Sequence, residues 1–443
     1  MTSSRTCYID CTNTVNSGHN TGIQRVVRNI INRIPRAGEQ TDMTFVPVIA
    51  VGCDFYRINR IGGKPFFWIR LANAFFAMVR NVVDFLHSPL ARKKDWPVDL
   101  VANSTDTAGL HSSIVLGSRK IMPFLFKLAY LLDGVIASSR PLTMAKGEIF
   151  FSADSFWKKE MVVTIHRLNE RGLKVIMLIY DIIAITHDNV FEPGYRRNFE
   201  ECLKKYLPIV NGIVSISKSA LTDIAVYVSK VNSTIKYDYF YLGADFSSSK
   251  STDTPIRHEL RYALSAANTY LMVGTIEPRK NHTYAMRAFE LLWREGSDVS
   301  LCIVGRKGWM CDDVIAHITS SRQFGSRLFF FDDANDDELE FCYENAKALL
   351  IMSIVEGFGL PLVEAMHYGK TVFASDIPVF REIGKEYPIY CDIGTPQSLA
   401  NAIRLYEAGA LDRHFTPRKW ISWDESIDDL FAKLAAMAGK ITQ

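Results

Sequence analysis

The chain has 443 residues, more than one hydrophobic core usually serves, and 48% of them are hydrophobic, enough to fill two α/β domains of roughly 200 residues each. Its 51 Lys and Arg against 48 Asp and Glu leave a formal net charge of +3, too balanced for a chain that holds nucleic acid by bulk electrostatics, so an anionic partner has to be gripped at a local site. The eight cysteines (Cys7, Cys11, Cys53, Cys202, Cys302, Cys311, Cys342, Cys391) form neither C-x-x-C pairs nor a cluster at zinc spacing; they read as reduced, packed thiols of a cytosolic protein and exclude a disulfide scaffold.

The N-terminus leads polar and then becomes strand-like over Thr6–Asp10, without the basic start and apolar stretch of a signal peptide. After a polar loop, Thr21 and Gln24 form a capping box, and Ile23, Val26, Val27, Ile30, Ile31 and Ile34 recur at helical spacing up to Pro35, which predicts one amphipathic helix ending there. The stretch Pro65–Leu86 is rich in Phe, Trp and Val but interrupted by Arg70, Asn73, Arg80, Asn81 and Asp84, and Ile121–Leu132 follows Arg119 and Lys120 in the same style. Such segments are too polar to span a bilayer; they suit either an interfacial helix on an anionic membrane or ordinary packing in the first domain.

Apolar runs at Val175–Tyr180 and Gly212–Ile216 read as buried parallel strands. A Ser, Lys, Thr, Asp and Pro stretch then marks a linker, so the expected domains are 1–245, with an insertion near 60–140, and 263–443, joined by 246–262, with the last helix returning to the first domain. Beyond it, candidate strands at Tyr270–Gly274, Val299–Gly305, Leu328–Phe331, Ala348–Met352 and Thr371–Ala374 alternate with helix-length segments. That alternation predicts an α/β fold with a parallel sheet, and ligands bind at the carboxyl ends of such strands.

Two motifs fall at those ends. In Glu356-Gly357-Phe358-Gly359-Leu360-Pro361-Leu362-Val363-Glu364, two glycines allow a tight loop and Pro361 is pre-set for the first turn of a helix, whose free N–H groups and positive dipole end would favour a diphosphate. Glu364, one turn in, would face the same cleft and accept from sugar or ribose hydroxyls. The second motif, Gly274-Thr275-Ile276-Glu277-Pro278-Arg279-Lys280-Asn281, brings two cations to the end of the preceding strand, where they can neutralise a departing nucleoside diphosphate. Read as plain structure, Glu364 complements the helix dipole while Glu356 and the Pro-Arg-Lys turn are solvated loops.

The two glutamates with seven residues between them resemble the E-x7-E motif of retaining glycosyltransferases, especially glycosyltransferase family 4, and the longer string is more specific than the spacing alone. The resemblance implies a GT-B fold of two facing Rossmann-like domains with parallel sheets and an interdomain cleft. It places Glu356 against the donor sugar, Glu364 on the ribose, the backbone of Gly357, Phe358, Gly359 and Leu360 near sugar and phosphates, and Arg279 with Lys280 on the diphosphate. Thr275 stands where some relatives carry an arginine. Thr21-Gly22-Ile23 resembles the family's first loop, which makes Gly22 a donor-side residue; Gly147–Trp157 with Asp154 resembles a strand-end segment of one subgroup. Tyr180-Asp181, followed by Thr186-His187, resembles the family's H-D element with Tyr180 in the histidine's place. Asp181 is thus a catalytic candidate and Tyr180 and His187 acceptor-side candidates.

What the resemblance implies for activity is a hexosyltransferase of bacterial surface-polysaccharide assembly, lipopolysaccharide included. It would take mannose from GDP-mannose to a glycan or polyprenyl-linked glycan, with no metal and no other cofactor. Rhamnosyl or glucosyl transfer, a nucleotide-sugar epimerase and a non-catalytic sugar-nucleotide-binding protein are the alternatives. The expected location is cytoplasmic, peripheral on the inner face of the plasma membrane, with no nucleic-acid partner.

Overall fold

A computed structural model describes residues 5–16, 22–37, 41–52, 54–59, 71, 124–136, 140–157, 159–244, 255–411 and 420–441. Thr21 of the capping box and all of 65–86 except Leu71 lie outside the described residues, as do 120–123 of the second basic and apolar segment. The chain forms two compact units, residues 1–156 with 163–175 and residues 157–162 with 176–443.

In the first unit, strands β1 (Arg5–Asp10), β2 (Met43–Val51), β3 (Asp54–Arg57) and β4 (Ile149–Ser152) lie in the order β3-β2-β1-β4. β1 is parallel to both neighbours, with Cys7 opposite Phe45 and Ile149, and only β3 turns back antiparallel. A strand flanked on both sides reads apolar, and β1 is buried from Cys7 to Asp10. The helix Gly22–Ala37 buries Val26, Val27, Ile30 and Ile31 along one stripe. It runs past Pro35, where the sequence placed its end. Proline lacks an N–H and crowds the carbonyl four residues back, but in a last turn little helix remains to be disrupted.

Residues 124–132 are helical, with Ala129 and Tyr130 buried while Phe124 (63%), Leu128 (42%) and Leu132 (55%) are exposed at helical spacing. The described part of this segment therefore has one face in the core and an apolar stripe outside it. At the carboxyl ends of β1 and β4, Asp154 accepts hydrogen bonds from Thr14 N (2.6 Å) and Ser155 N (2.7 Å), and Asp10 accepts from Thr12 N (3.0 Å).

The second unit holds strands of two sheets. Strands β5 (Lys174–Leu178), β6 (Val210–Ser215) and β7 (Lys236–Tyr239) follow one another in the first, whose β6 and β7 are parallel. The last helix, Trp423–Ile441, packs against β6 and β7 and buries Leu430, Phe431, Leu434 and Met437. The second sheet is parallel throughout, in the order β10-β9-β8-β11-β12-β13, with β8 Thr269–Val273, β9 Ser300–Val304, β10 Leu328–Phe331, β11 Ala348–Ile351, β12 Thr371–Ser375 and β13 Ile389–Cys391. Residues 245–254 lie outside the described part, and His258–Ala263, which begins within the expected linker 246–262, is a helix whose Leu260 and Ala263 are buried.

The second sheet's order is that of a doubly wound dinucleotide-type fold, and winding reverses between β8 and β11. Such a reversal leaves a crevice beyond the carboxyl ends of the two strands, which no crossover helix fills. Both motifs singled out in the sequence sit at that crevice.

Candidate active site

From the end of β8 the chain runs through Gly274 into a 3-10 turn, Pro278–Lys280, with Pro278 at its start and Lys280 N donating to Glu277 O at 3.0 Å. The loop after β11 is stitched to it by Ile354 N, which donates to Arg279 O at 2.8 Å. It then enters the helix Leu360–His367 through Gly359, whose φ of 96° suits glycine. Gly357 is closely packed: a Cβ there would lie 3.0 Å from Asp181 Oδ2 and 3.1 Å from Tyr180 O, so these neighbours would have to give by a few tenths of an ångström. Its carbonyl accepts from Ser217 Oγ at 2.7 Å, and that hydroxyl also caps the helix Lys218–Val228 by accepting from Ala220 N. The same helix start is held by Glu382 of the helix Pro378–Gly384, which accepts from Lys218 N and Ser219 N at 2.7 Å each and from Ser219 Oγ.

The stitched loops bring five charged side chains together. Glu356 Oε2 accepts from Arg279 Nη1 at 2.5 Å, and Glu356 Oε1 accepts from Lys280 Nζ at 2.5 Å and Ser353 Oγ at 2.7 Å. Arg279 Nε lies 2.6 Å from Glu277 Oε1, an ion pair without the alignment of a hydrogen bond. Asp181, at the end of the strand after β5's Leu178, completes the group and is turned toward its own loop by Ile183 N, which donates to Oδ1 at 3.1 Å.

Burial and charge oppose each other here. Burial pushes Glu356 up, but Arg279 and Lys280 overcome it and hold the carboxyl down at about 2. Asp181 and Glu277 stay above the usual carboxylate range because burial outweighs the pull of Arg279. Burial likewise disfavours charge on Arg279, and Glu356, Glu277 and Asp181 together keep it firmly protonated. Such an arrangement can hold an anion on Arg279 and Lys280 once Glu356 yields them, and can set a carboxylate beside whatever that anion carries.

Arg279, Lys280, Glu356, Asp181 and the Gly357 backbone are thus assembled in one place, while other sequence candidates sit differently. Glu364 is 1% exposed, enclosed in its helix and accepting from Tyr343 OH at 2.6 Å, rather than open to the crevice. The Phe358 ring is buried against Tyr241 and Trp420, so only its backbone is left for a ligand, as for Gly359 and Leu360 at the helix start. Tyr180 is buried and meets Gly357 through its carbonyl. His187 Nδ1 pairs with Thr186 Oγ1 at 2.9 Å. In the first unit Gly22 opens its helix, and among the described residues nothing lies within 4 Å of a Cβ built on it.

Sequence reasoning missed Glu277, Ser353, Ser217, Glu382 and Tyr343 as members of this neighbourhood. Glu277 lay within the quoted motif, two residues before Arg279, and that spacing could have flagged it. Ser217, Glu382 and Tyr343 arrive from distant segments, which no local pattern encodes.

Residues 263–417, which carry both motifs and the second sheet, match the family described as Glycosyl transferases group 1. This stretch is a glycosyl transferases group 1 domain. The serotype-specific mannosyltransferase WbdA of Escherichia coli is 31% identical over 319 residues, which is 69% of this chain and 39% of WbdA; the chain therefore spans less than two fifths of the length of that relative. The O-antigen chain mannosyltransferase RfbU of Salmonella typhimurium is 29% identical over 141 residues, 32% of this chain and 38% of RfbU. Among solved structures, sucrose-phosphate synthase from Thermosynechococcus elongatus superposes with a TM-score of 0.56 at 14% identity, covering 99% of this chain and 98% of that one. HepE of Anabaena, solved with UDP and glucose, gives 0.52 at 14% identity with the same coverage. The fold around the group 1 domain is the GT-B fold of these glycosyltransferases.

Proposed function

We propose that the chain is a retaining hexosyltransferase of surface-polysaccharide assembly that moves mannose from GDP-mannose to a glycan or polyprenyl-linked glycan. One observation carries the reading: Arg279 and Lys280 converge on Glu356 at the carboxyl ends of β8 and β11. Two fixed cations suit a diphosphate leaving group, and a carboxylate beside them suits the hydroxyls of the sugar it leaves. Mannose is the favoured sugar because WbdA and RfbU are named mannosyltransferases.

In the reaction proposed, the bond from the anomeric carbon to the β-phosphate oxygen breaks as the acceptor oxygen bonds to the same face of that carbon. The acceptor proton passes to the leaving phosphate oxygen, so no enzyme nucleophile is needed. Arg279 and Lys280 take up the charge that develops on the diphosphate, and Glu356 orients the sugar. Asp181 is assigned to the acceptor side, the amides of Gly357–Leu360 to the phosphates, and Glu364 to the ribose, which it meets only when it gives up its enclosed contact with Tyr343. No metal is required where two cations already neutralise the leaving group.

The test is sugar transfer from GDP-mannose to a lipid-linked glycan, with and without EDTA. Product that retains the donor's anomeric configuration, formed equally in EDTA, is expected. Transfer from dTDP-rhamnose or UDP-glucose instead would change the sugar and keep the reaction class. Donor conversion without acceptor would mark an epimerase, binding without turnover a silent nucleotide-sugar protein, and a strict divalent-metal requirement would overturn the cation-based mechanism.

Peripheral membrane contact at the cytoplasmic face belongs to the same proposal. It is supported by the exposed stripe of Phe124, Leu128 and Leu132 on residues 124–132, with Arg119 and Lys120 just before them in sequence. Among the described residues no helix is long and apolar enough to cross a membrane. Cations near an anionic surface contribute about 1 kcal/mol each, an attraction that salt screens. The chain should co-sediment with anionic liposomes at low salt and less at high salt. A folded Phe124→Ser, Leu128→Ser variant should lose that binding; its retention would remove this face from the membrane.

A further inference from the structure

We propose that Glu277 is a positioning residue: it holds the Arg279 guanidinium by its Nε edge, so that the two terminal nitrogens are presented together to a diphosphate. The inference rests on the donor reading above and deepens it. A guanidinium offers five N–H donors on a rigid plane, and a phosphate is gripped best by two of them at once.

In this structure the three nitrogens of Arg279 are used unequally. Nε is 2.6 Å from Glu277 Oε1, Nη1 is 2.5 Å from Glu356 Oε2, and Nη2 makes no hydrogen bond to the described residues. A phosphate that spans Nη1 and Nη2 must take Nη1 from Glu356. Glu356 also holds Lys280, so it gives up both cations when the ligand arrives. The contact that does not compete with the ligand is the ion pair with Glu277, 2.6 Å long though not aligned as a hydrogen bond, and the hold on Arg279 is assigned to it.

Glu277 is built for a fixed hold. Its side chain is 2% exposed, its carbonyl receives Lys280 N across the 3-10 turn, and Ile276 N before it donates to Arg306 O at 2.8 Å. The Arg279 backbone is pinned as well, through Ile354 N on its carbonyl.

Keeping the buried Arg279 protonated does not by itself call for Glu277, since Glu356 and Asp181 act in the same direction. Asp181, Glu277 and Glu356 are three acids against the two bases Arg279 and Lys280, so the cluster already carries a surplus acid before any anion enters. A carboxylate at this distance repels a diphosphate. Its repulsion is offset only if orientation of Arg279 gains more than the field loses, and that gives the two roles opposite signs in a binding measurement.

The experiment is calorimetric titration of the full chain with inorganic pyrophosphate and with GDP, comparing wild type, Glu277→Gln and Glu277→Ala, with melting temperature as the check on folding. Glutamine removes the charge but keeps an acceptor oxygen at the same reach. If Glu277 positions Arg279, Glu277→Ala weakens pyrophosphate binding by roughly tenfold or more, Glu277→Gln recovers part of the loss and stays weaker than wild type, and turnover falls more than KM rises. If the residue acts only through its charge, both variants bind as tightly as wild type or tighter, and the proposal is overturned. Glu277→Gln alone carries that sign, so a poorly folded alanine variant does not blunt the test. Failure of wild type and every variant to bind pyrophosphate or any nucleoside diphosphate would overturn the donor site itself, a different result from loss of the effect at Glu277 alone.

Discussion

Replacing Arg279 with alanine is expected to lower kcat/KM for the nucleotide-sugar by roughly 100- to 1,000-fold, about 2.7–4 kcal/mol of transition-state stabilisation. Arg279 is ion-paired to both Glu277 and Glu356 and also lowers the pKa of Asp181, so its removal strikes the leaving-group contact and the acids behind it together. The stability effect has a defined sign. Burial already raises Asp181 and Glu277 above the usual carboxylate range, and losing the arginine that opposes burial raises them further. A carboxyl whose pKa is raised on folding contributes stability at low pH that is lost as pH rises through the folded value. The melting-temperature deficit of the variant against wild type should therefore be larger at about pH 8 than at about pH 5. Steady-state kinetics and thermal melts at both pH values are the measurements. Wild-type kinetics, or a deficit that shrinks as pH rises, would contradict the assignment.

Glu356→Gln should separate binding from turnover in opposite directions. Glu356 is held at about 2 by Arg279 and Lys280, so at neutral pH it is an anion already seated on the two cations a diphosphate needs. Glutamine frees Lys280 from an ionic partner and leaves Arg279 with Glu277 alone. A charge-assisted hydrogen bond is worth about 1.5–3 kcal/mol, so GDP or pyrophosphate should bind roughly 10- to 100-fold more tightly to the variant. Turnover should nevertheless fall, because the carboxylate that orients the sugar is gone. Calorimetry on the nucleotide and single-turnover kinetics on the donor read the two effects separately. Weaker nucleotide binding would mean that Glu356 supports the anion rather than competing with it.

Five of the second sheet's six strands were readable because its inner strands are buried on both faces and are continuous apolar runs; β13, three residues long and only partly buried at the edge, was missed. Leu328–Phe331 was placed as observed, and the neighbouring strands differ only at their ends. The first unit was harder. β2 contains Pro47 and β3 is four residues long, so neither has a run long enough to stand out from loop. Within the site, the legible parts were those whose chemistry is local: the glycine-rich turn into a proline-started helix, and two cations after a strand. Burial was not legible. Glu364 was read as open because its position in the first turns of a helix says nothing of Tyr343, which reaches it from the helix Asp336–Asn345. Phe358 was read as meeting a ligand through its backbone, and nothing in the motif told that its ring packs with Tyr241 and Trp420. These pairings depend on where the chain returns in space, and residue types at fixed spacing carry no record of that.

The fastening of the helix Lys218–Val228 bears on time as well as on shape. Its first-turn amides are gripped by Glu382, and its cap Ser217 grips the carbonyl of Gly357, next in sequence to Glu356. Any motion that draws this helix off both partners exchanges four hydrogen bonds for water at a net cost of about 0.5–1.5 kcal/mol each, about 2–6 kcal/mol in all. At 1.4 kcal/mol per factor of ten, the released arrangement is populated roughly 30- to 20,000-fold less than the fastened one. Steps faster than that release meet a Gly357 backbone that stands still, and slower ones meet an average over both arrangements. A glutamate on another helix thus sets what share of the time the loop that carries Glu356 is released.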